Sequence, residues 1–190
     1  MKTKAILAFV VAGAMALSSC TKKIDEKTMS EINQFGTDWT ALGEKATAWS
    51  QQLTETATKA KEFATAQTDM QTQMANIKDE AMKTKMAETA QKATEDASKF
   101  EAMSNEWNQF KTTWDETTKQ FTEWKDKIAK GEINPADAVT GLADFKSKMS
   151  DAQAKIESWN TSFAEAQSSI VQNMASAGEM AKSIEATSKK

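Results

Sequence analysis

The chain has 190 residues, with 24 basic and 27 acidic side chains, no His, one Cys and one Pro, and 39% hydrophobic residues. Every basic residue is Lys, so the Arg-bearing basic face expected of a nucleic-acid binder is missing, and no imidazole is present to act as general base or zinc ligand. One Pro is too little turn chemistry for an all-β domain, and the abundance of Ala, Thr, Lys, Glu, Gln and Met puts the chain in the all-α class.

Residues 1–19 read as a leader. Lys2 and Lys4 form a positive start, and an uncharged apolar run from Ala5 to Leu17 follows. At about 13 residues that run is shorter than the roughly 20 needed to span a bilayer. It ends on Leu17, Ser18, Ser19 and Cys20, which resembles the lipobox of bacterial lipoproteins: a Leu, two small residues and the Cys that takes the lipid. The resemblance covers residues 1–20 only. It implies a diacylglyceryl group on the Cys20 thiol, cleavage just before it, and attachment to a membrane through the acyl chains, each buried methylene contributing about 0.8 kcal/mol. Thr21 stands where Asp would favour inner-membrane retention in the enterobacterial type, which points to the outer membrane facing the periplasm. Lys22-Lys23-Ile24-Asp25-Glu26 is similar to the Lys-plus-acidic signals that carry some lipoproteins to the cell surface, with Ile24 interrupting the pattern. Loss of Lys2 and Lys4 leaves 22 Lys against 27 acids, a mature charge near −5. With the only Cys given to lipid, no disulfide forms within the chain.

Residues 20–29 read as the lipidated Cys and a polar tether, and Ser30 is a weak helix start. From Ile32 a heptad seam runs through Phe35, Trp39, Leu42, Ala46, Trp49 and Leu53, then past Ala60, Phe63, Gln67, Met70, Met74 and Ile77 to Ala81. Gly36 and Gly43 interrupt it, each costing up to about 1 kcal/mol against Ala. Near Lys78-Asp79-Glu80 the phase slips, and a second seam follows through Met82, Met86, Ala93, Phe100, Met103, Trp107, Trp114, Phe121, Trp124 and Ile128. The slip is either absorbed by a continuous helix or marks a turn with Asp79 as N-cap. The next boundary is sharper: Gly131 is a helix stop, Asn134 an N-cap, Pro135 the first helical residue and Asp137 a first-turn acid. A third seam runs from Leu142 to Ile184.

Helices of about 30–78, 80–130 and 135–186 would match in length and pack as a long antiparallel three-helix bundle over residues 30–187. The alternative is one helix of about 100 residues with the third folded back and a second chain completing the seam. Asn33-Gln34-Phe35-Gly36-Thr37-Asp38-Trp39 is echoed in Asn108-Gln109-Phe110-Lys111-Thr112-Thr113-Trp114, and Trp49 and Trp124 follow the two segments at the same distance.

Carboxylate pairs such as Asp79-Glu80 and Glu95-Asp96 read as solvated flanks of the seams, not acid–base machinery. No Gly-rich phosphate loop occurs, and the chain reads as non-enzymatic. Folding at residues 79 and 132 gathers Trp39, Trp49, Trp107, Trp114, Trp124, Phe145 and Trp159 in the membrane-proximal half. The distal half instead carries Met70, Met74, Met82, Met86 and Met180, with Gln67 and Asn173 within the seam, a pliable candidate interaction end. The i, i+4 spacing of Met70/Met74 and Met82/Met86 would let thioethers face a soft ion, but without His or a free Cys no metal and no cofactor beyond the covalent lipid is assigned. Two functions are therefore expected. One is a membrane-anchored spacer or protein-interaction module, alone or as a homo-oligomer. The other is a carrier or chaperone that takes apolar ligands or unfolded envelope proteins into an opened bundle.

Overall fold

The computed structural model describes the backbone of residues 23–73 and 79–188 and the side chains of residues 23–72 and 79–184. Among them are three helices and no strand: α1 (Glu26–Gln73), α2 (Glu80–Ala129) and α3 (Pro135–Ser188). Their 48, 50 and 54 residues correspond to about 72 to 81 Å at 1.5 Å per residue. Aromatic pairs fix the directions. Phe35 meets Phe121 and Trp49 meets Trp107, so α2 runs against α1; Trp39 meets Phe145 and Trp49 meets Trp159, so α3 runs with α1. The fold is the up-down-up three-helix bundle, and the packing of α2 back along α1 rules out one continuous helix through both.

Each described end has a local cause. Asp79 is extended (φ −82°, ψ 101°) and its carboxylate accepts from the Met82 N–H at 3.1 Å, capping α2. At the other end of α2, Gly131 adopts φ +71°, a backbone that side chains other than Gly rarely tolerate. The Gly131 N–H then donates to the Ile128 carbonyl at 3.0 Å and the Glu132 N–H to the Lys127 carbonyl at 2.9 Å. α3 begins as the sequence predicts, with the Asp137 N–H donating to Asn134 Oδ1 at 3.0 Å and Pro135 first in the helix.

The start of α1 differs from expectation. Ser30 is already in the second turn, and the helix is capped by Asp25, whose carboxylate accepts from the Thr28 N–H at 2.9 Å and the Thr28 hydroxyl at 2.8 Å. These bonds draw the Asp25 carboxyl below the ordinary aspartate range, the backbone bond contributing most. Residues assigned to the tether are thus helical from Glu26. α1 is described as far as Gln73 and α3 as far as Ser188, α2 runs to Ala129, and 74–78, where the expected end of α1 falls, lie outside the described residues. Ala81, placed on the first seam by its phase, is an exposed residue in the first turn of α2.

The core has two aromatic layers. The first surrounds Ile32, Phe35, Trp39, Phe121 and Phe145, and the second surrounds Leu53, Trp49, Phe100, Trp159 and Phe163; Trp114 and Met149 pack against both. The echoed segments converge on one contact, the Trp39 and Trp114 indoles stacking at 4.2 Å and 9°. Their following Trp residues part company: Trp49 stacks on Trp159, while Trp124 tilts against Phe145. The glycines in the helices follow from these rings. A Cβ on Gly141 would stand 2.5 Å from Trp124 Nε1, and one on Gly43 would stand 3.3 Å from Trp114 Nε1. Backbone close to indole is worth the lost helix propensity there.

Candidate functional site

Beyond Phe100 the seam changes from rings to small and polar side chains: Ala60, Ala64 and Gln67 of α1, Met86, Thr89 and Ala93 of α2, and Ala177 of α3 are all buried. In their midst lies Asp96, 1% exposed. The expectation that Glu95-Asp96 is a solvated pair is corrected: Glu95 is exposed, but Asp96 follows Ala93 by three residues and precedes Phe100 by four, which puts it on the seam. Buried carboxylates need donors, and α3 supplies them. The Ser169 hydroxyl lies 2.9 and 3.0 Å from the two Asp96 oxygens, and Asn173 Nδ2 donates to Oδ2 at 2.6 Å. Lys99, one turn on in α2, reaches Oδ1 at 3.2 Å from a side chain that is 57% exposed. The node therefore joins α2 to α3 with both carboxylate oxygens accepting hydrogen bonds, an arrangement suited to fixing helix register.

Just past this node, α2 and α3 border a cavity of about 440 Å³, lined among others by Met82, Thr89, Asn173, Ser176 and Met180. Asn173 belongs to both features. Of the predicted Met end, Met82 and Met180 thus share one cavity, Met86 is core at 3% exposure, Met70 is half-buried on α1, and Met74 lies outside the described residues. Leu17, Ser18, Ser19 and Cys20 of the lipobox also lie outside them.

At the opposite end, Trp114 separates two grooves. One, about 440 Å³ between α2 and α3, has Phe110, Trp114 and Trp39 in its lining and Lys148, Asp151 and Lys155 at its margin. The other, about 570 Å³ between α1 and α2, includes Trp39, Trp107, Trp114 and Gly43. Trp39, Trp49 and Trp159 are buried, whereas Trp107, Trp114 and Trp124 are half-buried. Two of the buried indoles are anchored by hydrogen bonds, Trp39 Nε1 to Thr118 Oγ1 at 3.0 Å and Trp159 Nε1 to Glu106 Oε2 at 2.8 Å. Trp49 Nε1 is buried with no hydrogen-bond partner.

Among the described residues no group of three or more acidic, His or Cys side chains could hold a metal ion, and no helix is long and apolar enough to cross a membrane. Comparison of the chain with protein-family models, with characterised proteins and with solved structures finds no match.

Proposed function

We propose that this chain is a non-enzymatic envelope lipoprotein, held on the outer membrane by lipid on Cys20 and facing the periplasm, that acts as a spacer or protein-interaction module. The observation that carries the reading is the length and continuity of the three helices. The helices are about 72 to 81 Å long, and two aromatic layers pack them together along the part nearer the start of α1. Because α1 starts at Glu26, only five residues separate it from Cys20, a reach of at most about 22 Å. Short tether and long rod together would hold the aromatic end near the lipid and the Met82/Met180 end far from it. Cys20→Ala is expected to keep the helical circular dichroism and move the protein from the membrane pellet to the soluble fraction. Retention of that variant on membranes after a high-salt wash would refute the anchor.

A second reading, carriage of apolar ligands or unfolded clients, draws on the grooves beside Trp114 and the cavity beyond Asp96. It requires an environment-sensitive dye to bind and lipid or client to shift the Trp emission. A cooperative melt with neither response favours the spacer.

A further inference from the structure

α3 carries a second heptad row in addition to its core seam. Glu157, Asn160, Ala164, Gln167, Val171, Met174 and Gly178 follow at alternating steps of three and four, and every one is exposed. The core seam accounts for Ile156, Trp159, Phe163, Ala166 and Ile170, so this row lies on a flank of the helix. Glu157 and Asn160 help to form the α3 wall of a groove of about 550 Å³ between α1 and α3, with Leu42, Trp49 and Ile156 also in its lining. Trp49, 5% exposed, has a buried indole N–H without a hydrogen-bond partner. Of the three large hydrophobic residues found exposed among those described, Val171 at 60% and Met174 at 40% both belong to the row. A side chain added at Gly178 would meet nothing within 4 Å.

Charge sets the row apart from the remaining surface. In a chain with 27% charged residues, none occurs from Ala166 to Gly178, and the row itself carries no charge from Asn160 to Gly178. Its ends do: Glu157 at one, and Lys182, one turn past Gly178, at the other. For a net-negative protein, a neutral flank is where a second copy can approach with least repulsion. Opposite signs at the two ends select the direction. Parallel pairing would set Glu157 on Glu157 and Lys182 on Lys182. Antiparallel pairing of row on row, centred on Ser169, sets Ala164 opposite Met174, Gln167 opposite Val171 and Asn160 opposite Gly178 of the second copy, and brings each Glu157 level with Ala181 and next to Lys182.

We propose that α3 pairs antiparallel with α3 of a second copy along this flank, making a two-fold dimer. Such an interface is self-complementary, which is the condition for a closed dimer instead of a fibre. Small residues at Ala164 and Gly178 let the helices approach closely, and Val171 and Met174 supply the apolar area. The proposal is independent of the anchor, because it concerns residues 157–182 alone.

The test uses the full chain carrying Cys20→Ser, so that lipid makes no contribution to self-association, and reads dissociation constants by sedimentation equilibrium. The parent chain should be dimeric and Val171→Glu monomeric, with unchanged helical circular dichroism. Glu157→Lys alone and Lys182→Glu alone should each weaken the dimer about tenfold, and the two together should restore it. A monomeric parent chain, a dimer indifferent to Val171→Glu, or a double variant no better than the singles would each overturn the proposal.

Discussion

Replacing Asp96 by Ala tests whether the polar node holds α2 to α3. The carboxylate accepts from one Ser169 hydroxyl and one Asn173 amide, both part-buried, and from Lys99. Hydrogen bonds to a charged group are worth about 1.5 to 3 kcal/mol each. Lys99 is more than half exposed, so its share is screened and it returns to water without penalty. The two α3 donors then account for about 3 to 6 kcal/mol of gross interaction. Against that stands the desolvation of a carboxylate at 1% exposure, several kcal/mol in its own right, which Ala removes. Asn173 also borders the distal cavity, where water can take up its amide. The net expectation is a loss of about 2 to 3 kcal/mol, a sizeable part of a domain stability of roughly 5 to 15 kcal/mol. Urea denaturation followed by both Trp emission and far-UV circular dichroism measures it. Removing the donors with the acceptor, as Asp96→Leu with Ser169→Ala and Asn173→Ala, is expected to recover at least that loss, since no stranded polar group remains. An Asp96→Ala protein as stable as the parent, or a triple variant no more stable than the single, would show that the node does not fasten these helices.

Two further outcomes follow from particular contacts. Gly141→Ala gains about 1 kcal/mol of helix propensity but drives a Cβ to 2.5 Å from an indole packed against Phe121 and Phe145, so urea melts should show a net loss of about 1 to 2 kcal/mol. The sign should reverse for Gly178→Ala measured in the Val171→Glu background, where the added methyl meets nothing within 4 Å. At the start of α1, the Asp25 carboxyl lies below the ordinary aspartate value because the Thr28 N–H and hydroxyl donate to its charged form. Its contribution is therefore present above the unfolded value and lost as pH falls through the lowered one. Amide exchange in residues 26–30 should accelerate over that acidic range after correction for intrinsic rates, while Asp25→Asn should show a much flatter pH response.

The node was more legible in the sequence than a scan for apolar residues suggests. Met86, Ala93, Phe100 and Met103 leave vacant seam positions at 89 and 96, occupied by Thr89 and Asp96, and both are buried. A helix keeps its phase whatever side chain the next position carries, so the seam must include a polar residue when the period lands on one. The carboxylate is read from the sequence as a solvated flank of the seam; the phase of its neighbours, followed through positions 89 and 96, agrees instead with the buried site the structure shows. The same conflict at the start of α1 went the other way. Asp25 lay in a charge run that resembles a sorting signal, yet its local chemistry, an acid three residues ahead of Thr28, is that of an N-cap. What periodicity could not supply is the identity of the donors. Asn173 is on the α3 seam, but Ser169 is one residue off it, beside Ile170, and reaches Asp96 only because α2 lies on that side of α3. Nor could spacing reveal that Gly141, on α3, faces the Trp124 indole of α2. These pairings depend on the rotation of one helix against another, set jointly by every ring in the two aromatic layers. Each seam could be read from its own segment; the match between seams required all three helices together.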